Sequence, residues 1–270
     1  MHYPLADIAL ARRLERAEGL SCRELVEAHA ALAPEVGACS IEVGGTLAMY
    51  DGPTSPMTQT FGLGMFEPPS PAQLETLETF FRSRRAPVQH ETSPIADAAL
   101  APLLVSRGYH PLEYSNVTYR PIGAGMTFAA AAPTLVTTRV EGDDGGRWTA
   151  TAAAGWGELP GLSAFIGDFG RVQSVAPHVH RFLVERDGQA IASGALNIHE
   201  GVALLAGAAT IPAGRRQGAQ LALLDARLRF AVDQGCDLAV MVALPGSGSQ
   251  RNAERHGFRI AYTRVKWLLT

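Results

Sequence analysis

One order of elements occurs twice along this chain and constrains its fold more than any other feature. In each half, strand candidates lead into a long amphipathic helix, which is followed by a short strand, a second helix, a glycine-aromatic pair and a final strand. The two pairs are Gly108-Tyr109 and Gly257-Phe258. An order that repeats in this way is typical of a duplicated structural unit. We therefore predict an α/β (α+β) fold of two tandem units, each a mixed, mainly antiparallel sheet flanked by helices.

A stretch of small residues punctuated by glycine and proline, residues 123–133, divides the chain near its middle. We interpret this stretch as a linker. It predicts an N-terminal domain at residues 1–132 and a C-terminal domain at residues 133–270. A chain of 270 residues is long enough for two domains that each bury a core.

Local signals predict where the main elements lie. Ser70, Pro71 and Gln73 read as an N-cap, a first-turn proline and a capping box, and they predict a helix over residues 70–84. Leucines at helical spacing predict another helix over residues 214–234, with Gly235 as its stop. Further helices are expected at residues 96–106, 148–158, 162–169 and 249–255, and a turn at 142–146. Strands are expected at residues 40–50, 57–66, 87–91, 114–120, 181–186, 190–198, 202–211, 237–244 and 259–268.

Composition excludes several classes of protein. With 47% hydrophobic and 18% charged residues, and no long unbroken apolar run, the chain is expected to be globular and not to span a membrane. A net charge of -3 argues against a nucleic-acid or anionic-membrane surface. Three cysteines without CxxC spacing, and a His178-x-His180 pair without nearby ligands, lead us to expect no metal. No signal peptide is recognised at the start, so a cytoplasmic location is expected.

The two halves differ most where a strand enters the long helix. In the second half, the strand at 202–211 leads through Arg215, Arg216 and Gly218 directly into the helix. Such a junction leaves backbone amides unpaired at the positive end of a helix dipole, which is a geometry that holds phosphate. In the first half, the equivalent junction contains three prolines, which lack amide donors, and the acidic Glu67. We therefore expect phosphate binding in the second half only.

The junction resembles a known signature. Arg215-x-x-Gly218-x-Gln220, after a strand and at the start of an amphipathic helix, is similar to the acyl-CoA signature (Gln/Arg)-x-x-Gly-x-(Gly/Ala) of the GNAT superfamily of N-acetyltransferases. The next strand and the Gly257-Phe258 pair also match the family's order. The resemblance covers residues 135–270 well and the first half in its order of elements alone. It implies two tandem GNAT-like units, of which the N-terminal one is degenerate.

The resemblance also implies a binding site for acetyl-CoA, which would be a co-substrate. In the family, the loop at this junction binds the CoA diphosphate, the preceding strand binds the pantetheine arm through its backbone, and a polar residue after the next strand contacts CoA. The positions in this sequence that match are Ala208, Ala209, Thr210, Arg215, Arg216, Gln217, Gly218, Ala219, Gln220 and Asn252.

Two departures from the family pattern concern the chemistry. Gln220 stands where the family has glycine or alanine, and Ala253 stands where the family often has a tyrosine that protonates the leaving thiolate. Glu185 and His199 are candidate bases for the acceptor amine, with Glu200 as a further candidate, and Ser249 or Tyr262 could replace the missing acid. The chain also lacks room for the family's final strand, so the first half is expected to contribute a replacement edge.

These features together predict an N-acetyltransferase. It would move an acetyl group from acetyl-CoA to a primary amine of a small acceptor in a direct ternary complex, because no cysteine lies at the inferred site. A homodimer is possible, and neither nucleic acid nor membrane is expected as a partner. Two alternatives stay open: a non-catalytic module that binds or senses acyl-CoA, and a duplicated fold with another phosphorylated ligand.

Overall fold

The computed structural model describes residues 2–128, 134–141, 145–158 and 160–270. Within these residues the chain forms two compact units: unit 1 is Met1–Pro121 with Val240–Thr270, and unit 2 is Ile122–Ala239. The predicted division after residue 132 separates the two sequence repeats and stays a prediction. The C-terminal segment of the second repeat packs with the first. Parts of the predicted linker and of the predicted turn, residues 129–133 and 142–144, lie outside the described residues.

In each half, strands lead into a long helix that is followed by a strand, a second helix and a final strand, as the repeat predicts. The helices are α1 (Ile8–Leu32), α2 (Pro71–Arg82), α3 (Leu100–Ser106), α4 (Gly145–Gly155), α5 (Pro160–Val175), α6 (Ala219–Asp233) and α7 (Gly248–Arg255). The strands are β1 (Cys39–Val43), β2 (Thr46–Tyr50), β3 (Gln59–Phe61), β4 (Gln89–Thr92), β5 (Tyr109–Pro121), β6 (Leu135–Val140), β7 (Val179–Arg186), β8 (Gln189–His199), β9 (Val202–Thr210), β10 (Leu238–Ala243) and β11 (Arg259–Leu269). None of the described helices is long and apolar enough to cross a membrane.

In unit 1 the strands follow the order β1-β2-β3-β4-β11-β5. The last strand of the chain, β11, therefore lies between two strands of the first half, antiparallel to both β4 and β5. The first half thus supplies the neighbours on both sides of β11. The core beneath this sheet contains Leu74, Leu77 and Phe81 from α2 together with Trp267 from β11.

The first helix was not predicted. Asp7 caps α1 by accepting a hydrogen bond from the Leu10 amide at 2.9 Å, and Leu10, Leu14 and Ala17 face the core at helical spacing. The prediction at residues 57–66 is wrong in extent, because only the three residues of β3 form a strand.

The predicted capping of α2 is half correct. Ser70 is the N-cap, and its hydroxyl accepts a hydrogen bond from the Gln73 amide at 3.2 Å. The Gln73 side chain does not complete a capping box. It donates instead to Val43 O at 2.9 Å and Thr46 Oγ1 at 3.2 Å, across the turn between β1 and β2. The sequence predicts a hydrogen bond within the helix for this side chain, and the structure shows hydrogen bonds to residues distant in the sequence.

In unit 2 the strands follow the order β9-β8-β7-β6, and each adjacent pair is antiparallel. Two-residue turns with left-handed backbone, at Asp187-Gly188 and Glu200-Gly201, join β7 to β8 and β8 to β9. One face of this sheet packs on α4, where Trp148 is 1% exposed. The predicted helix at 214–234 begins later than expected, because residues Pro212–Gly214 form a 3-10 turn before α6.

A buried cluster of charges ties α1 to β11 in unit 1. Arg264 Nη1 lies 2.8 Å from Glu18 Oε2 and 3.5 Å from Glu15 Oε1, and the Tyr262 hydroxyl donates to Glu15 Oε1 at 2.9 Å. Glu15 is 1% exposed. Burial raises the pKa of Glu15 from 4.5 to about 7, although the positive charge of Arg264 opposes the shift. The folded state therefore favours the neutral form of this carboxyl.

We expect the substitution Glu15→Gln to remove a pH-dependent loss of stability. Between pH 4.5 and 7 the folded state holds a proton on Glu15 that the unfolded state has lost, so wild-type stability from this group falls as pH rises. The shift in pKa corresponds to about 3 kcal/mol. The measurement is the free energy of unfolding by urea titration at each pH. The value for the variant minus the value for wild type should rise by up to this amount between pH 4.5 and 7, and it should stay constant above pH 7.

The matched control is Glu27→Gln, on the same helix but with a side chain 63% exposed. Its difference from wild type should not change across this pH range. A Glu15→Gln difference that is equally flat would contradict the raised pKa of Glu15.

Candidate functional site

The loop between β9 and α6, residues 211–218, has a backbone shaped by alternating dihedral angles. The φ angle is -67° at Arg215, 61° at Arg216 and 81° at Gly218. Gln217, which lies between the last two, does not have a positive φ. A sign that alternates along successive residues curls the backbone into a concave nest of amide groups. Gly218 is the N-cap of α6, and its left-handed conformation is one that glycine adopts without the strain a side chain would add.

This loop has an unusual set of hydrogen-bond donors. Among the described residues, the six consecutive amides from Arg216 to Leu221 donate to no backbone or side-chain acceptor, and the first amide that does is Ala222, which donates to Gly218 O at 3.0 Å. No side chain caps α6. Because the positive end of the helix dipole coincides with these donors, the loop is suited to an anion.

Arginine side chains surround the loop. Arg215 makes two hydrogen bonds to Glu158, at 2.9 and 3.1 Å, and this guanidinium lowers the pKa of the Glu158 carboxyl. Arg186, at the end of β7, donates to Gln217 Oε1 at 2.7 Å. Arg186 and Glu158 were missed by the sequence analysis. Both lie far from the signature in sequence, and only the folded sheet brings them to the loop.

Gln220, the departure from the family pattern, has a defined role in the loop. Its side-chain amide donates to Thr210 Oγ1 at 2.6 Å and so joins the first turn of α6 to the end of β9. A glycine or alanine at this position could not make that bond. Ala219 is buried and has no polar side-chain group, so its backbone amide is the polar group that it adds to the loop.

The strand that leads into the loop is irregular. Ser193 pairs with Ala209, but Ala195 pairs with Ala206, so β9 has one more residue than β8 between the two pairs. The extra residue forms a β-bulge at Gly207 and Ala208, where Gly207 has a φ of 59° and is exposed. Ala209 is buried, and Thr210 is half-buried.

The structure separates the two candidate bases. Glu185 pairs with Ala190 near the loop end of the sheet, and its carboxylate makes an ion pair with Arg147. His199 pairs with Val202 at the opposite end of β9, where its ring lies 5.1 Å from that of His178. The eight residue steps from Val202 to Thr210 span about 26 Å. A base must reach its proton within hydrogen-bond distance, so the two side chains cannot serve one reacting centre together.

The remaining site candidates lie in unit 1. Ser249 and Asn252 are on α7, and Ser247 caps that helix by accepting a hydrogen bond from the Gln250 amide at 3.2 Å. Tyr262 is 6% exposed, and its hydroxyl already donates to Glu15. Burial raises the pKa of Tyr262 well above its ordinary value. The roles predicted for these three residues stay predictions, and Tyr262 has a structural role in addition.

Unit 2 also contains a groove of about 470 Å³ between α4 and α5. Its walls consist mostly of small residues, with Thr149, Arg171 and Ser174 as polar members. The Trp148 side chain on α4 points away into the core.

Comparisons with known proteins agree with this geometry. Residues 154–258 match the model of a family described as acetyltransferase (GNAT) family. A comparison with curated protein sequences gave no significant match.

Among solved structures, the chain is similar to a GCN5-related N-acetyltransferase from Kribbella flavida, with a TM-score of 0.65 and 21% identity over 90% of this chain and 94% of that chain. It is similar to a GCN5-related N-acetyltransferase from Sphaerobacter thermophilus, with a TM-score of 0.55 and 16% identity over 86% and 75% of the two chains. A tandem GNAT protein from the clavulanic acid biosynthesis pathway has a TM-score of 0.56 and 14% identity over 82% and 72%. These likenesses confirm the predicted fold class. Residues 154–258 thus match the GNAT acetyltransferase family model, and the chain shares the fold of these solved structures.

Proposed function

We propose that this chain is an acetyl-CoA-dependent N-acetyltransferase that acts on a primary amine of a small acceptor. The GNAT acetyltransferase fold supports acyl-CoA-dependent acetyl transfer in general. In this proposal the loop amides and Arg215, Arg216 and Gln217 bind the diphosphate of CoA. The backbone of β9 at Ala208, Ala209 and Thr210 binds the pantetheine arm.

One observation carries the proposal: the run of six amides at the start of α6 that have no acceptor among the residues that the structure describes. Backbone donors that water alone satisfies are common at the start of a helix, but here a nest of alternating φ continues them into the loop. A diphosphate has enough oxygen atoms to accept from several of these amides at once. Nearby arginines add charge without the directional constraint of the backbone.

Direct transfer is the route that the cysteines favour. A covalent acetyl-enzyme would need an activated thiolate near the acyl group. Cys236, the one cysteine of unit 2, is 3% exposed, and burial raises its pKa to about 11. Its thiol therefore stays protonated at neutral pH. The amine nitrogen would attack the thioester carbonyl carbon directly, the carbon-sulfur bond would break, and the amine proton would leave to solvent or to a nearby base.

The second candidate function is an acyl-CoA sensor without catalysis. It is motivated by Ala253, which is 0% exposed and offers no acid where the family often has a tyrosine. A sensor would bind acetyl-CoA through the same loop, so binding alone does not separate the two functions. A cytoplasmic location and a homodimer remain part of the proposal.

The diphosphate site can be tested with the substitution Gly218→Asp. The new carboxylate would lie among the loop amides and compete with the diphosphate, so we expect acetyl-CoA affinity to fall at least about 100-fold, which is about 2.7 kcal/mol. The measurement is titration calorimetry with acetyl-CoA. An unchanged dissociation constant would refute the assigned site.

Gly235→Asp is a matched control at the other end of the same helix. Gly235 has a φ of 80°, close to the 81° of Gly218, and no atom lies near the position of its added Cβ. Both variants therefore carry similar backbone strain. The control should lose comparable thermal stability and keep wild-type affinity for acetyl-CoA.

Enzyme and sensor can be separated by release of free CoA thiol. We expect acetyl-CoA incubated with the wild-type chain and a panel of small primary amines to release thiol faster than without the chain, detected with a chromogenic disulfide. The Gly218→Asp variant should abolish the difference. Binding of acetyl-CoA without thiol release across a broad panel would support the sensor instead.

A further inference from the structure

Arg227 on α6 is a buried cation that no described carboxylate neutralises. It is 1% exposed, and burial is the sole cause that lowers the pKa of its guanidinium, to about 9. The group therefore stays protonated at neutral pH. A buried charge is costly unless hydrogen bonds compensate for it, so its partners indicate what it is there to hold.

The partners of Arg227 are all backbone carbonyls. Nε donates to Leu223 O at 3.2 Å within α6, and Nη1 donates to Ala195 O at 3.0 Å and Ala206 O at 3.4 Å. Ala195 and Ala206 are the pair of β8 and β9 residues immediately before the bulge. One guanidinium nitrogen therefore bridges both strands at the point where their register changes.

The neighbourhood is built to admit this side chain. A Cβ on Gly194 would lie 2.9 Å from the Leu223 side chain and 3.1 Å from Arg227 Nη1, so a larger residue there would displace the guanidinium. From α4, Trp148 Nε1 donates to Gly194 O at 3.2 Å. Three carbonyls around the bulge, two on β8 and one on β9, thus accept hydrogen bonds from side chains.

The bond to Ala206 O has an electronic consequence. The carbonyl of Ala206 and the amide of Gly207 belong to one peptide group, and a cationic donor on the carbonyl makes the amide a stronger donor. Gly207 is the exposed residue of the bulge, on the strand segment that would bind the acyl carrier. The charge of Arg227 can therefore act on a bound thioester without contacting it.

We propose that Arg227 is a positioning residue for acyl transfer, whose guanidinium holds the β8-β9 bulge and polarises the Ala206-Gly207 peptide against the thioester carbonyl. This inference rests on the proposed binding of acetyl-CoA along β9. It goes beyond that function by naming the side chain that prepares the amide donor.

The test is the infrared frequency of the thioester carbonyl in acetyl-CoA labelled with ¹³C at that carbon and bound to the full chain. The variant Arg227→Gln removes the charge and keeps one donor for the strand carbonyls. Arg229→Gln is the matched control, because Arg229 lies on the same helix, is exposed and stacks over Phe128.

We expect the bound carbonyl to absorb at lower frequency than free acetyl-CoA in wild type and in Arg229→Gln. In Arg227→Gln most of this shift should be lost while CoA itself still binds within about threefold of wild type, since the diphosphate loop is intact. A folded Arg227→Gln variant that binds acetyl-CoA with the wild-type shift would overturn the inference and leave the proposed function standing. Absence of acetyl-CoA binding to wild type would instead overturn the proposed function, and this inference with it.

Arg227→Lys keeps the test decisive if the glutamine variant does not fold. Lysine keeps the positive charge but concentrates it on one ammonium group. It lacks the planar guanidinium, whose nitrogens reach Leu223 and both strands together. We expect a folded lysine variant to show a shift between the wild-type and free values. A shift equal to that of wild type would contradict the role assigned to the guanidinium.

Discussion

The shape of the sheet in unit 2 and its candidate site both depend on the hydrogen bonds of backbone peptide groups. Two places along one strand show this. At the bulge in β9, backbone carbonyls of β8 and β9 accept hydrogen bonds from Arg227 and Trp148. At the end of the strand, the amides from Arg216 to Leu221 have no acceptor among the described residues. Buried backbone groups must be paired, whereas exposed donors can wait for a ligand. The hydrogen bonds at the first place hold the bulge of the strand, and the donors at the second are available to a ligand.

The two repeats use the same junction differently. At the start of α2, Pro71 has no amide, and Ser70 accepts the hydrogen bond of the Gln73 amide. Pro71 removes one donor at this junction, and the Ser70 hydroxyl occupies another. At the start of α6 no side chain acts as a cap. The two copies of this order of elements therefore differ in their backbone donors, and the proposed phosphate site belongs to the second copy.

Several titratable groups of unit 1 are part of its packing. His90 in unit 1 is 0% exposed, its ring is within 2.8 Å of Thr60 Oγ1 and 2.9 Å of the Tyr109 hydroxyl, and burial lowers its pKa to about 3. Tyr262 and Glu15 belong to the buried cluster around Arg264. Because these groups are desolvated and already hydrogen-bonded, they stabilise unit 1. Catalysis in the proposed reaction then depends mainly on positioning and on backbone donors.

The sequence alone was enough to predict the order of the elements, their assignment as helix or strand, and the loop with its arginines and Gly218. These depend on local periodicity, on capping residues and on the conformational needs of single residues, all of which can be recognised within a short window. The same window contained the signal for α1, Asp7 followed by Leu10 and Leu14 at helical spacing, and it was missed.

Three features could be seen in the folded chain alone: the order of the strands, the position of β11 among strands of the first half, and the bulge in β9. The same is true of the contact of Arg186 with Gln217 and of the burial of Arg227. The reason is that register and the pairing of a long side chain are properties of two segments distant in sequence. Neither segment encodes them alone, and an arginine on a helix has the same local pattern whether it faces water or a strand.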